Sequence, residues 1–188
     1  VGHIDRRTQA RLWVRLGEAA CLGGNLEAAQ QYLQSAEVAF EATRDREGLM
    51  ETAAAMARLE KLEGRPTEAA RHFARMLRLN RGDRRVEVQA LRGLVDARSA
   101  SGRLEGVEPL VQKLRESALA TGDTRCIALA TFAAGLVELA RQDFDSGERY
   151  FHTARALAAT VGDDRLQLDS ENNLGEAYRL RGDLRAAE

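Results

Sequence analysis

The sequence predicts an all-α fold of about four and a half helix-turn-helix repeats stacked as an α-solenoid. Three observations support this prediction. Turn residues recur about every 40 positions along the chain. The composition is rich in helix-forming residues and contains only two prolines, Pro66 and Pro109, so long uninterrupted helices are permitted. Finally, no stretch alternates β-branched and polar residues as a strand would.

The repeat is visible in two stretches near the ends of the chain. LGEAACLGGNLEAAQ begins at Leu16 and LGEAYRLRGDLRAAE begins at Leu174, and the two match at nine of fifteen positions. Similar turns lie near positions 24, 64, 102, 142 and 182, and a second series lies near positions 45, 83, 123 and 163. Glycine ends a helix in the left-handed region, and Asp or Asn caps the next one, so two interleaved series imply two helices per repeat.

The turns define each helix in order. We predict the first helix of each pair over about 5–22, 46–62, 84–100, 124–141 and 165–181. The second helices are predicted over about 26–43, 66–80, 104–120 and 144–161, with a fifth that begins at Leu184 and is cut off at Glu188. Gly106 and Pro109 fall in the first two turns of helix 104–120, and they predict a bend or a late start there.

These helices group into repeats at about 5–43, 46–80, 84–120, 124–161 and 165–188, the last one truncated. We interpret them as one solenoid domain spanning 1–188. A lone helical hairpin cannot bury its apolar face, so the repeats must stack on one another. The chain starts without Met and stops within a predicted helix, so we interpret it as a fragment of a longer protein.

The first repeat carries a recognisable pattern of large and small residues. Trp13-x2-Leu16-Gly17-x2-Ala20, followed by Ala29, Leu33 and Ala36, resembles the tetratricopeptide repeat signature. Repeats four and five echo it, whereas in repeats two and three Ala57 and Val95 occupy the place of its glycine. The 40-residue period is similar to the long-helix type of bacterial regulatory proteins. The resemblance implies a right-handed superhelix whose first helices line a concave groove.

Projecting the repeat register onto that groove gives the candidate partner-binding residues. They are Arg15, Glu18, Arg58, Arg92, Asp96, Phe132, Leu136, Leu139, Asn172, Asn173, Glu176 and Arg179. Asn173 precedes Leu174-Gly175 and resembles the asparagine that long-helix relatives direct at a bound peptide backbone. The Lys/Asn/Arg clamp of relatives that bind carboxyl-terminal tails is not reproduced, so no specific binding of such tails is expected.

One part of the groove is predicted to be apolar. Leu129, Phe132, Leu136 and Leu139 follow the spacing i, i+3, i+7, i+10, which places them on one side of a helix. Two interpretations stay open. The stripe is either core between adjacent first helices, or an apolar pocket for an amphipathic helix with acidic flanks. In the second case Arg58, Arg92 and Arg179 would flank the pocket.

A cluster of arginines lies between Arg65 and Arg85. Arg71, Arg75 and Arg78 share one helix face by their i, i+4, i+7 spacing. We interpret this basic patch as a solvated outer face on the convex side. The alternative is a patch for an acidic partner or nucleic acid. Interleaved aromatic residues are missing from it, so nucleic acid is not expected as a partner.

The sequence offers no pattern for catalysis. His3, His72 and His152 are isolated from one another and from the two cysteines, so no metal-ligand spacing exists, and no phosphate-binding glycine loop is present. We therefore expect no enzyme activity and no cofactor. The sequence contains no secretory signal and no apolar run of membrane length, so we expect a cytoplasmic protein that binds no membrane.

The predicted function is that of a protein-protein interaction scaffold that binds a peptide, a helix or a neighbouring domain in its groove. By analogy at the level of the fold, we expect it in the sensor or regulatory part of a multidomain bacterial signalling protein. A transcriptional activator or a Ser/Thr kinase would be an example. Two alternatives stay open: binding of nucleic acid or an acidic partner through Arg65–Arg85, and self-association through the solenoid ends to form a homo-oligomer.

Overall fold

The computed structural model describes residues 5–182, which divide into two compact units, the first ending at Arg81 and the second beginning at Gly82. Unit 1 contains α1 (Arg6–Leu22), α2 (Leu26–Thr43), α3 (Arg46–Leu62) and α4 (Pro66–Leu79). Unit 2 contains α5 (Arg84–Ala100), α6 (Val107–Thr121), α7 (Thr124–Ala140), α8 (Phe144–Thr160) and α9 (Asp164–Arg181). Residues 5–182 contain no strand. The helix predicted from Leu184 lies outside the described residues.

The turn chemistry explains why the helix ends were predictable. Seven of the nine helices within 5–182 begin after an Asp or Asn whose side chain accepts a hydrogen bond from a backbone N–H of the first turn. Where a turn lacks glycine, another residue adopts the left-handed conformation instead. Arg44 has φ 52° and Gln142 has φ 65°. That conformation costs a non-glycine residue roughly 1–2 kcal/mol, so these turns are the less stable members of their series.

The late start predicted for the second helix of repeat three is confirmed. α6 begins at Val107, after Gly106, which has φ 65°. Pro109 is then the third residue of the helix. The N–H groups of the first turn have no partner within a helix, so a proline there removes no hydrogen bond. No bend is needed to accommodate it.

The core of unit 1 lies where α1, α2 and α3 meet. Leu33 and Phe40 of α2 are fully buried in it. Close contact between helices depends on two glycines. A Cβ on Gly17 would lie 2.8 Å from Leu33 Cγ, and a Cβ on Gly48 would lie 2.3 Å from Phe40 Cδ1. The large side chains of α2 therefore occupy the space that glycine leaves on both neighbouring helices.

The core of unit 2 shows why α7 has a glycine at position 135. Phe151 of α8 is fully buried, and a Cβ on Gly135 would lie 2.7 Å from its ring. The large side chain at this contact is thus supplied by α8 and not by α7. Leu166 and Leu174 of α9 complete the same cluster. Each unit is therefore a stack of helix pairs in which glycine faces a large residue.

Ion pairs join successive first helices within unit 2. Arg85 Nη2 of α5 lies 3.1 Å from Oδ2 of Asp123, which caps α7. Arg125 Nε of α7 lies 2.8 Å from Oδ2 of Asp163, which caps α9. The two pairs occupy equivalent places in successive repeats. Each aspartate already accepts a backbone N–H at a helix start, so the arginine adds a second interaction, between successive repeats.

Glu87 of α5 links α5 to α6 and makes the stability of unit 2 dependent on pH. Its carboxylate accepts a hydrogen bond from buried Ser117 at 3.0 Å and lies 3.3 Å from Lys113 Nζ. Burial acts to raise the pKa of Glu87. The hydrogen bonds from Ser117 and Lys113 outweigh it and hold the pKa below the ordinary value of 4.5. A carboxyl group with a lowered pKa stabilises the fold above its unfolded-state pKa, and that stabilisation is lost as the pH falls through the folded-state pKa.

We therefore expect Glu87→Gln to lower the free energy of unfolding by about 1.5–3 kcal/mol at pH 7, the value of a hydrogen bond to a charged group. The difference from the wild type should narrow as the pH falls below 4.5. Urea unfolding at pH 7 and at acidic pH measures it. Glu105→Gln, in the exposed turn before α6, is the control and should show no such pH dependence. If the two proteins differed in free energy of unfolding by the same amount at both pH values, the stabilisation would not come from the charged Glu87 carboxylate.

Candidate functional site

The candidate site is formed by one side of α5 and one side of α7 in unit 2. On α5 the side chains Gln89, Arg92, Asp96 and Ser99 follow the spacing i, i+3, i+7, i+10. On α7 the equivalent positions are Leu129, Phe132, Leu136 and Leu139. The two helices are neighbours, and Arg92 contacts Phe132 across them. We call these eight residues the α5–α7 face.

Arg92 is the polar centre of this face. Its guanidinium carbon lies 5.5 Å from the centroid of the Phe132 ring, within the range of a cation–π interaction. It makes no hydrogen bond or ion pair with any described residue. Its Nε is buried without a hydrogen-bond partner. Buried donors are nearly always paired in native proteins, so an unpaired guanidinium nitrogen requires an explanation.

A second unpaired atom lies on the same helix. Within residues 5–182, two buried side-chain nitrogen or oxygen atoms lack a hydrogen-bond partner, namely Arg92 Nε and Ser99 Oγ. Positions seven residues apart lie on the same side of a helix, about 10 Å along its axis. The side of α5 that was projected onto the groove is thus the place where the chain leaves buried polar groups unsatisfied.

Phe132 belongs to the core. It is 3% exposed, and its ring lies 5.5 Å from that of Phe151 at an angle of 56°. Leu129, Leu136 and Leu139 are half-buried against the same cluster. Of the two interpretations left open by the sequence, this packing supports core for Phe132 and leaves Leu136 and Leu139 partly accessible. Gly135 makes this packing possible, because the space that it leaves lets Phe151 reach the Phe132 ring.

The candidates on α9 are largely engaged with their own helix. Asn173 donates its side-chain amide to the Asp169 carbonyl at 2.8 Å. Arg179 donates to the two carboxylate oxygens of Glu176 from Nε and Nη2, at 2.8 and 2.5 Å. Asn172 is exposed. The second N–H and the amide oxygen of Asn173 are left to meet a peptide backbone, so the side chain keeps one donor and its acceptor.

The candidates in unit 1 satisfy one another. Glu18 of α1 accepts hydrogen bonds from Arg15, at 2.9 Å, and from Arg58 of α3. Burial raises the pKa of the neighbouring Cys21 thiol, and the positive charge of Arg58 opposes that rise. Because Glu18 binds both arginines, the three residues keep a net charge of +1 but their charged groups are already engaged with one another.

The basic patch predicted on α4 is not a free cationic surface. Arg75 is half-buried and forms ion pairs with Glu37 and with Glu41, the latter at 2.9 Å, both on α2. Arg71 pairs with Glu68 at 2.5 Å, and Arg78 is exposed. The prediction of a solvated outer face is therefore wrong for Arg75, which joins α4 to α2. Helical spacing alone does not reveal which face of α4 meets α2, the second helix of the preceding repeat.

The described part of the chain contains no group of three or more His, Cys, Asp or Glu side chains that could hold a metal ion. His72 on α4 is half-buried, and burial lowers its pKa against the pull of Glu60 and Glu68.

None of the helices within residues 5–182 is long and apolar enough to cross a lipid bilayer.

Comparison with known proteins gives a fold but no family. No protein-family model matches the chain, and no curated protein sequence does. The structure is similar to that of a Signal Transduction ATPase with Numerous Domains (STAND) protein with a tetratricopeptide repeat sensor from Pyrococcus horikoshii. The TM-score is 0.78 at 18% sequence identity, over 94% of this chain and 28% of that chain. The likeness confirms the predicted all-α fold class of stacked helix-turn-helix repeats.

Proposed function

We propose that this chain is a protein-interaction module whose α5–α7 face binds a partner segment that carries an acidic group beside an apolar side chain. The observation that carries the proposal is Arg92, a half-buried cation that lies on Phe132 and has no ionic partner in the described chain. Beside it, Leu136 and Leu139 are partly accessible. The chemistry of this face therefore suits a carboxylate and a neighbouring aliphatic side chain.

The energetics favour such an occupant. A buried donor without a partner costs about 1–3 kcal/mol. Nε is buried and closed to an external group, but a partner carboxylate that accepts from the outer nitrogens of the half-buried guanidinium would neutralise its charge. The Phe132 ring holds the guanidinium plane in place, so less side-chain entropy is lost when the ion pair forms. Interface energy concentrates in a few desolvated contacts, often involving arginine, with apolar contacts around them that exclude water. The α5–α7 face has this arrangement.

The setting of the module is also part of the proposal. The similarity to the tetratricopeptide repeat sensor of a STAND protein supports a role in the sensor or regulatory part of a larger signalling protein. This chain spans 28% of the length of that protein. We propose that the chain acts as a single domain over 1–188 without catalysis of its own, in the cytoplasm of a bacterium. Regulation of transcription is one pathway that such a module would serve.

The proposal predicts the sequences that this face selects. A phage-displayed random-peptide library selected on the full chain should yield peptides with Asp or Glu within two residues of Leu, Ile or Phe. Arg92→Gln should weaken the selected peptides by about tenfold or more, because a charge-assisted hydrogen bond is worth about 1.5–3 kcal/mol. Fluorescence anisotropy with the labelled peptide measures the change.

The matched control is Arg115→Gln. Arg115 is an exposed residue of α6, and its replacement by Gln removes the same charge from a different surface. Its replacement should leave peptide affinity unchanged, and raising the salt concentration should weaken binding to the wild type more than to Arg92→Gln. Selected peptides without acidic residues, or equal affinity for Arg92→Gln and the wild type, would overturn the proposal.

A further inference from the structure

A groove runs between α1 and α2 in unit 1, on the side of α2 opposite to buried Leu33 and Phe40. It has a volume of about 620 Å³. Trp13 and Gln9 line it on α1, and Gln31, Ser35, Val38 and Ala42 line it on α2. The four α2 residues follow the spacing i, i+4, i+7, i+11, so they form one side of the helix. Val38, near the middle of this α2 stripe, is 66% exposed.

The next repeat shows which element packs on the surface equivalent to this groove. A shift of 40 residues carries α1 onto α3 and α2 onto α4. The equivalent surface of α3 and α4 is occupied by α2, whose Phe40 packs on Gly48 and whose Glu37 pairs with Arg75. Leu12 and Leu16 of α1 are 49% and 47% exposed, whereas their equivalents Thr52 and Met56 are 1% and 8% exposed. The α1–α2 groove thus has the register of a helix-binding surface, and none of the helices within residues 5–182 lies on it.

The charges of the groove differ from those of its equivalent. Arg71, Arg75 and Arg78 of α4 correspond to Gln31, Ser35 and Val38 of α2. The middle of the α2 stripe is therefore uncharged, and a helix docked there needs no carboxylates at its centre.

Charge occurs only at the two ends of the stripe. Glu27 precedes Gln31 by one turn on the same side of α2, and Arg6 lines the groove together with Ala42. Neither Arg6 nor Glu27 forms an ion pair with a described residue.

We propose that the occupant of this groove is a second copy of this chain, related by a two-fold axis that passes close to Gln34 and Ser35. The two α2 helices then run antiparallel, with Ser35 of both copies at the centre and Val38 of each copy opposite Gln31 of the other. Glu27 and Ala42 lie seven to eight residues on either side of this centre, or about 11–12 Å along the helix. Glu27 of each copy therefore reaches the end of the stripe where Arg6 of the second copy lies.

The two-fold arrangement makes each interaction occur twice. A self-complementary surface is what a symmetric dimer requires, and here two Arg6–Glu27 pairs flank an uncharged centre. The same arrangement would be repulsive at α4, where Arg71 of each copy would face Arg78 of the other. The α1 and α2 helices of two copies form a four-helix bundle, in which Trp13 and Val38 become buried. This surface belongs to unit 1 and is separate from the α5–α7 face.

Sedimentation equilibrium of the full chain over a range of concentrations tests the proposal. The average mass should rise from 20.7 kDa towards twice that value and no further. Val38→Arg introduces the residue type found at the equivalent position of α4, and it should remain at the monomer mass throughout. Because Val38 is exposed, the urea midpoint of Val38→Arg should match that of the wild type at concentrations where the wild type is monomeric. Ala156→Arg, at the equivalent exposed position of α8, is the matched control and should dimerise normally.

Exchanging the charges of Arg6 and Glu27 tests whether these two residues pair across the dimer. Arg6→Glu and Glu27→Arg should each weaken dimerisation by about tenfold or more, because each places like charges together twice in the dimer. The double variant Arg6→Glu/Glu27→Arg should restore most of the lost affinity. A wild-type chain that stays monomeric at all concentrations would overturn the proposal. So would a dimer that tolerates Val38→Arg, or a double variant no better than the single ones.

Discussion

Phe132→Ala is expected to lower the free energy of unfolding by about 3–5 kcal/mol, the range found when a large buried aromatic side chain is removed from a core. Phe132 is 3% exposed and packs on Phe151, so its removal leaves a cavity between α7 and α8. It also removes the ring that supports the Arg92 guanidinium. Urea unfolding monitored by circular dichroism measures the loss as a lower midpoint.

Leu136→Ala provides the comparison for this result. Leu136 is half-buried, so its truncation should cost less than that of Phe132, about 1–2 kcal/mol. The order of the two effects tests the assignment of Phe132 to the core. If Phe132→Ala kept the wild-type midpoint and lost only the binding of peptide, Phe132 would be an exposed binding residue and the core assignment would be wrong.

Gly48→Ala is expected to cost about 1–3 kcal/mol, although alanine is the better helix former. A Cβ at position 48 would lie 2.3 Å from Phe40 Cδ1, far inside van der Waals contact. Phe40 of α2 is fully buried, so its ring cannot turn outward into solvent. The helices must therefore move apart, and the contacts between the two repeats of unit 1 weaken.

Two variants make the interpretation of Gly48→Ala specific. Gly147→Ala, on α8, places its Cβ at 3.5 Å or more from its neighbours, so it should be neutral or stabilise by up to about 1 kcal/mol. Combining Gly48→Ala with Phe40→Leu should cost less than the sum of the single changes, because the smaller side chain relieves the collision. Thermal and urea unfolding measure both. Strict additivity would show that Phe40 is not the residue that Gly48 accommodates.

Most of the fold could be predicted from the sequence because its information is local. A helix ends where glycine or its substitute adopts a left-handed conformation, and the next begins at an Asp or Asn cap. These residues recur in register, so α3 and α5 begin within a residue of their predicted starts, and α4 ends one residue before its predicted end. The late start of α6 was likewise visible in Gly106 and Pro109.

The candidate site was less predictable because it depends on contacts between helices. Helical spacing placed Phe132 on the same side of α7 as Leu136, but it could not show that Phe151 reaches under that side beside Gly135. In the same way, Arg75 was placed correctly on its helix face, yet nothing local reveals that Glu37 and Glu41 meet that face.

The two surfaces that carry the proposals differ in how well the sequence indicated them. Arg92 was a candidate by register, but its lack of an ionic partner emerged only from the structure. The α1–α2 groove was not predicted. A signal for it existed, because Gln31, Ser35 and Val38 are uncharged where the next repeat has three arginines. That difference gains meaning once α2 is seen to occupy the corresponding surface of α3 and α4.

The central claim is that unit 2 binds its partner on the α5–α7 face through Arg92. Nuclear magnetic resonance of the ¹⁵N-labelled full chain, titrated with a selected peptide that carries Asp beside Leu, tests this claim most directly. We expect the largest shifts at the Arg92 side-chain Nε–H and at backbone amides around Arg92, Ser99 and Leu136, and no such shifts with the matching Asn peptide. Shifts confined to α4 around Arg78, or to α1 and α2, would place the binding site elsewhere and contradict the claim.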